Sequence, residues 1–462
     1  MGFMRQGTFP AVDLRSFDHY IAACLALAQE KLSGCTTMAQ VKERQSKVNL
    51  YPDLAHLGPP HQVHILDEDA APPALVQRAK EAVAKGLVLF EHAAAGEGTR
   101  LQLGSKYFLD LSRDLTVDSI AHHQSREAGR HISPDEVRVD LDCAPQELAR
   151  LSLGSRHMLQ LAYDLAALAQ ELGESPGEVL GRQHLLIVMA DDMLAHIERD
   201  FYQWHFYGFN PAQVFFMVQR SFHGLGLNQG RFFYDPASPK RLHNHGQMVM
   251  QETMDRQLFT LTGAHVWEKK YHAREAVADW LARFADKISY NIEDLDYLTG
   301  SLDFPGQGLA LEFGSQGCHM VIEVVANNPI KPQKGGMLAW DPALERDVMI
   351  ESFQLGDLPN EEIKFLNRNF NHYPRPAECW RRLGEAGLPM PIAVKDGHLY
   401  FQPVQGDINF LVRTAFFRRK QMRPIRNLKS PATLPMAINR MYAQDRQPGF
   451  QAFAARCRQG EL

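Results

Sequence analysis

Binding phosphate takes a concave run of backbone N–H groups with cations beside it. One stretch of this chain supplies both. An apolar run, Val88-Leu89-Phe90, leads to Gly96-Glu97-Gly98-Thr99-Arg100, and Lys106 follows. A strand that enters a glycine-rich turn presents successive N–H groups outward. Gly96 and Gly98 permit close backbone approach and a positive φ. Arg100 and Lys106 can add charge-assisted bonds. The spacing is neither the dinucleotide GxGxxG nor the Walker A pattern. On spacing alone, these residues suit a phosphate cradle and a plain strand-to-loop turn equally. Further along, Asn367, Asn369 and Asn371 alternate in LNRNFN. Their amides both donate and accept, which suits sugar hydroxyls and ordinary loops alike. The stretch RLHNHGQ carries His243 and His245 but no supporting cysteine pair or HExxH, so a structural zinc is not expected. Most of the twenty histidines are expected at the surface or the edge of the core.

The elements that must position these groups follow from periodicity. Residues 16–31 and 75–85 have helical stripes, with Ser16 as an N-cap and Gly86 at a C-cap position. Residues 51–73 hold five prolines and read as an extended connector. The clearest helix is 153–173, closed by Gly173. Apolar runs at 86–90, 184–190, 212–219, 287–292, 319–325 and 337–340 read as strands alternating with helices. That alternation predicts an α/β sheet with crossover connections. Residues 194–207 are expected to be helical. A weaker strand pattern lies at 398–411. The basic run 413–426, RTAFFRRKQMRPIR, reads as a solvated face or as partners for acidic groups. The chain has 462 residues and a formal net charge of -5, which gives no general argument for nucleic acid or an anionic membrane. Its six cysteines are widely spaced without a CxxC pair, as expected for reduced thiols packed as small hydrophobes. The N-terminus lacks the apolar h-region of a signal peptide, the apolar stretch 20–28 is far too short to span a bilayer, and the expected location is cytoplasmic.

GEGTRL followed by Lys106 resembles the signature of nucleoside-diphosphate-sugar pyrophosphorylases, and more specifically of the eukaryotic-type UDP-glucose and UDP-N-acetylhexosamine pyrophosphorylases. Further stretches similar to that family occur in the same order: SRHMLQLAYDLAALAQ, the block from LLIVMADD to AQVFFMVQ, NHGQ, SYNIEDLDYL, and PIKPQKGGMLAWD with VMIESFQL and FLNRNFN. The resemblance covers roughly residues 75–375. It departs from the family pattern at Ala95, Ser105, Ala190-Asp191, His245, Gln247 and Glu293-Asp294.

The resemblance implies an α/β fold with a GT-A-like, Rossmann-related nucleotidyltransferase core and a mixed sheet. The expected divisions are a helical N-terminal region (1–74), the catalytic domain (75–380) and a small C-terminal region (381–462). It also implies the roles. Gly96, Glu97, Gly98, Thr99, Gln219, His245 and Gly246 would hold the nucleotide. Arg100, Lys106 and Lys334 would be catalytic cations on its phosphates. Asp294, Asn367 and Asn369 would hold the sugar. Glu293 and Asp191 would hold Mg2+, with Mn2+ as the alternative, although Asp191 and Asp192 also suit the start of a helix without any ligand. The expected reaction joins a nucleoside triphosphate, foremost UTP, to a sugar 1-phosphate and releases pyrophosphate. No nucleic acid or membrane partner is expected. The alternatives are another base or acceptor, a non-catalytic nucleotide- or nucleotide-sugar-binding protein, and a glycosyltransferase, for which Asp294-Leu295-Asp296 is a literal Asp-x-Asp.

Overall fold

A computed structural model describes residues 16–52, 54–96, 101, 103–263, 268–421 and 426–462, with the side chains of 369 and 370 left aside. Glu97, Gly98, Thr99, Arg100 and the side chain of Asn369 lie outside the described residues.

The strands Val88–Ala93, His184–Ala190 and Val214–Gln219 have near-continuous apolar sequences, the mark of strands covered on both faces. Their side chains alternate between two cores. Val88, Phe90, Leu185, Ile187, Val214 and Phe216 enter the core that packs the long helix Leu153–Leu172. Leu89, Leu186, Val188, Phe215 and Met217 enter the opposite core, beneath the helices Phe17–Lys31, Asn244–Glu252, Arg274–Leu281 and Pro376–Ala386. Each such side chain, fully buried, contributes about 1.5–3 kcal/mol. The result is a three-layer α/β arrangement.

These strands lie within a mixed twelve-stranded sheet. Asp286–Asn291, Val88–Ala93, His184–Ala190 and Val214–Gln219 run parallel in that spatial order. Phe365–His372 lies antiparallel between Asp286–Asn291 and Met320–Ala326. A smaller four-stranded sheet combines Leu225–Asn228 and Arg231–Tyr234 with Ile392–Lys395 and His398–Phe401.

Most expected elements fall within a few residues of their predicted bounds. Ser16 caps Phe17–Lys31 by accepting from the His19 amide. Gly173 closes its helix in the left-handed conformation at φ 71°, where a Cβ would be strained. Three expectations need correction. The helix expected over 194–207 stops at Gln203 and passes into a 3-10 turn. The strand pattern at 398–411 yields a strand only over His398–Phe401, followed by a 3-10 turn at Gln405–Phe410. The basic run takes the second of its two expected readings, partners for acidic groups, in place of a solvated face. Its residues Thr414–Arg419 form a strand between Met320–Ala326 and His64–Leu66. Arg419 is buried there against Glu68, Asp303 and Glu323. The sheet thus draws strands from all three stretches expected as separate regions. Most described histidines lie at the surface or the edge of the core, as expected, while His372, which meets Asp286 at 2.6 Å, and His243, which meets the Tyr20 hydroxyl at 2.9 Å, are buried. All six cysteines are free and buried. Among the described residues, no helix is long and apolar enough to cross a membrane.

Candidate active site

In open α/β sheets, ligands bind beyond the carboxyl ends of the parallel strands. Here those ends are Ala93, Ala190, Gln219 and Asn291. The chain leaving Ala93 brings Gly96 beside Ile292 and Lys106, and the Lys106 amide donates to the Gly96 carbonyl at 3.4 Å. Gly96 does not take a positive φ. A Cβ on it would stand 3.7 Å from Ile292, an ordinary contact. The protein atoms around Gly96 do not by themselves demand glycine.

Lys106 opens a short 3-10 turn and is 8% exposed. Its ammonium donates to Glu293 Oε2 at 2.5 Å. The Lys429 ammonium lies 3.1 Å from the other oxygen, Oε1. Burial pushes the Glu293 carboxyl up, but the two ammoniums outweigh it and hold the group below the usual range. Beside it, burial and then the Glu293 charge push Asp294 up to about 7.

Lys429 arrives on a segment threaded along the site. The Leu428 amide donates to the Glu293 carbonyl at 2.9 Å, and the Leu295 amide donates to the Arg426 carbonyl at 3.0 Å. Arg426 then donates to Asp296 Oδ1 at 2.8 Å, and Arg368 approaches the other oxygen at 3.6 Å. Lys106, Lys429, Arg426 and Arg368 thus stand around Glu293 and Asp296. The sequence reading missed Lys429 and gave Arg426 no role in a site. The available signal was RPIRNLK, a proline-broken basic segment after a strand, which was merged into one charge run.

The other expected residues are distributed around this group. Gln219 is buried at the end of its strand, and its amide donates to the Asn244 carbonyl at 2.8 Å and to Gln247 Oε1 at 2.9 Å. His245 and Gly246 begin the helix Asn244–Glu252. Gly246 donates to the Pro403 carbonyl at 3.0 Å, and a Cβ there would fall 2.4 Å from Pro403 and Val404 backbone atoms. Only glycine permits that approach. The Asn367 side chain bonds Glu351, whose carboxyl is pushed up by burial. The Asn367 backbone N–H donates to the Gly336 carbonyl at 3.1 Å, which sets the Lys334-Gly335-Gly336 turn against this strand. Lys334 itself is exposed and makes no ion pair among the described residues.

Asp191 is exposed in the 3-10 turn after its strand. Both Glu293 oxygens already hold lysines, and no group of three or more His, Cys, Asp or Glu side chains that could hold a metal ion occurs among the described residues. What the group offers is positive charge, partly sheltered from water, where anionic oxygens would be held strongly.

No protein-family model matches the sequence, and no curated protein matches it either. Solved structures do match. The chain is similar to a UDP-N-acetylglucosamine pyrophosphorylase from Trypanosoma brucei solved with an inhibitor, at TM-score 0.57 and 15% identity, over 90% of this chain and 79% of that one. It is also similar to a mutant UDP-glucose pyrophosphorylase from Leishmania major in complex with UDP-glucose, at TM-score 0.52 and 13% identity, over 93% of this chain and 79% of that one. At this identity the likeness concerns architecture: the chain has the fold of the UDP-sugar pyrophosphorylases.

Proposed function

We propose that this protein is a nucleotidyltransferase that makes a nucleoside-diphosphate sugar, with UTP and a hexose 1-phosphate as its leading substrates. The carrying observation is the Lys106–Glu293–Lys429 group beyond the carboxyl ends of the parallel strands. The shared fold supports the same reading.

In the reaction, a phosphate oxygen of the sugar 1-phosphate attacks the α-phosphorus. A new P–O bond forms, the bond between the α-phosphorus and its bridging oxygen breaks, and pyrophosphate leaves with that electron pair. No covalent enzyme intermediate or general base is required, because the attacking phosphate is already anionic. The barrier is lowered by positioning and by cations on the crowded negative charge. Lys106 and Lys429 would neutralise the phosphates, held at a fixed separation by Glu293. Arg426, Arg100 and Lys334 would add charge toward the departing pyrophosphate. Glu351, Asn367 and Asp294 would meet the sugar hydroxyls. Mg2+ would accompany the triphosphate on its own oxygens.

A second reading, the same chemistry with another base, is favoured by one observation: the Gln219 amide is already committed to Asn244 and Gln247. The test is pyrophosphate release with Mg2+, pairing each nucleoside triphosphate with a panel of sugar 1-phosphates. Lys429→Ala and Arg426→Ala should lose about a hundredfold or more in turnover while remaining folded. Turnover with a purine nucleotide alone selects the second reading. A folded protein that turns over no pair overturns both.

A further inference from the structure

Lys287 joins two buried carboxyls that the proposed reaction does not use. Its ammonium lies 2.8 Å from Glu252 Oε2 and is also in direct contact with Glu91 Oε2. The side chains of Lys287, Glu252 and Glu91 are 8%, 5% and 0% exposed. They come from separate elements: Lys287 from the strand Asp286–Asn291, Glu91 from its parallel neighbour Val88–Ala93, and Glu252 from the last position of the helix Asn244–Glu252. Packing fixes each of them. The Trp380 indole donates to the Glu252 carbonyl at 3.0 Å, the Lys287 backbone exchanges two hydrogen bonds with Tyr373, and the Ser289 hydroxyl donates to Glu91 Oε1 at 2.6 Å. A cavity beside the group is lined by Glu252, Lys287, Tyr373, Cys379 and Gln405. Burial pushes the Tyr373 hydroxyl and the Cys379 thiol up, so both stay neutral. It does the same to Asp407, in the turn packed against the helix. Arg274 packs over the Trp380 ring at 5.3 Å and makes no ion pair with either carboxyl.

Charge balance therefore falls to the three side chains alone. Lys287 supplies one positive charge and two ionised carboxyls would supply two negative ones. The surplus charge would be stranded in the interior, where an unpaired ion is strongly disfavoured. A single bound proton removes it. The hydrogen bonds point to where that proton sits. Glu91 has both oxygens engaged as acceptors, Oε1 by Ser289 and Oε2 by the ammonium. Glu252 accepts from Lys287 through Oε2, and its Oε1 has no donor among the described residues. The two carboxyls reach the same nitrogen, so they also stand against each other. Burial outweighs Lys287 at Glu252 and, with Glu91 adding to it, pushes that carboxyl up. At Glu91, burial is outweighed by Lys287 and by bonds from Glu252 and Ser289, which hold the group below the usual range.

We propose that Glu91, Glu252 and Lys287 form a buried proton-binding site, in which Glu252 carries the proton as a carboxylic acid while Glu91 stays a carboxylate and Lys287 stays charged. The protonated Glu252 donates toward Glu91 and leaves the group neutral. The junction between the helix Asn244–Glu252 and two central strands is thereby pH-sensitive. A carboxyl raised in the folded state gives stability that is fully present below its unfolded value and is lost as pH rises through the folded one. Glu252 therefore holds this junction most firmly on the acid side and least firmly once its proton has left.

The test is carbon NMR on the full chain labelled with 13C at the glutamate side-chain carboxyl, which leaves the aspartates silent. The Glu252 signal is identified by its loss in Glu252→Gln, and the Glu91 signal by its loss in Glu91→Gln. Glu252→Asp, also silent under this label, gives the same identification if the glutamine variant unfolds. At about pH 6, above the ordinary glutamate range, the expected result is an un-ionised Glu252 beside an ionised Glu91. In Glu91→Gln one ammonium faces one carboxyl, so Glu252 should become ionised at that pH. The Tm of Glu252→Gln should also rise relative to the parent as pH goes from about 5 to about 8. An ionised Glu252 in the parent overturns the assignment: with Glu91 un-ionised the proton sits on the other carboxyl, and with both ionised no proton is held. A Glu252 that stays un-ionised in Glu91→Gln overturns the shared site, because burial alone would then account for its proton.

Discussion

Replacing Lys106 by methionine isolates the charge of the central ion pair while keeping most of the side-chain volume. Lys106 and Glu293 are 10% and 14% exposed and meet at 2.5 Å. Removing one partner of such a buried pair strands the other, at a cost of about 3–5 kcal/mol. Lys429 remains on the far oxygen at 3.1 Å, but it is 43% exposed and screened by solvent. That partial compensation places the expected loss near the lower end, about 3 kcal/mol. Glu293→Gln in the same chain removes the stranded charge, so the double variant should recover about 2 kcal/mol of that loss. The pH dependence has a definite sign. In the parent, the Glu293 carboxyl is held below its unfolded value, so its stabilisation is present above the unfolded pKa and is lost as pH falls through the folded one. Without Lys106, burial becomes the stronger influence and raises the carboxyl. The penalty should then shrink on acidification, because the variant's Glu293 protonates first. The assay is urea unfolding followed by tryptophan fluorescence, at several pH values, for the parent, both singles and the double. A loss below about 1 kcal/mol, or the same loss with Gln at 293, would refute the reasoning.

Arg156 is 1% exposed and bonded to Asp445, Gln444 and the Ala149 carbonyl, so Arg156→Met should destabilise the chain by about 3 kcal/mol or more in the same urea assay. Gly246→Ala puts a Cβ 2.4 Å from two backbone atoms of the 403–404 segment and should cost about 1–3 kcal/mol, seen as a lower Tm together with weaker nucleotide-induced stabilisation. Asp294 is pushed up to about 7, so the folded state binds the extra proton and the parent loses stability as pH rises from its unfolded pKa toward 7. Asp294→Asn should remove that decline: thermal scans should place the variant above the parent at pH 8, with the gap narrowing as pH falls toward about 4.

The central strands were legible because burial on both faces leaves long apolar runs, and the helix ends were legible because Ser16 and Gly173 have local capping roles. The strand Thr414–Arg419 was not legible. Its arginines suited solvent or acidic partners equally, and the partners of Arg419, Glu68, Asp303 and Glu323, are remote in sequence. The same limitation hid part of the site. Lys106 and Glu293 were each visible beside a strand end, but nothing local signals that Lys429 completes the group, because the contacts that bring it there join Leu428 to Glu293 and Leu295 to Arg426, far apart in sequence. His245 was legible as a candidate for the nucleotide, but the Gln405 backbone N–H that donates to its Nδ1 comes from a distant part of the chain.

The late strand has a consequence for the order in which the molecule is made. Met320–Ala326 pairs with Phe365–His372 on one side and with Thr414–Arg419 on the other. During synthesis, the second partner is among the last parts of the sheet to emerge. Until it does, an apolar strand presents an open row of backbone donors and acceptors, the kind of edge that captures other chains. Lys429 emerges later still. A nascent chain therefore passes through a stage in which most of its core can form while its sheet is unsealed and its cationic group incomplete. Protection against misassembly and the completion of the charged group depend on the same short stretch, and both arrive only after every other strand of the sheet has emerged.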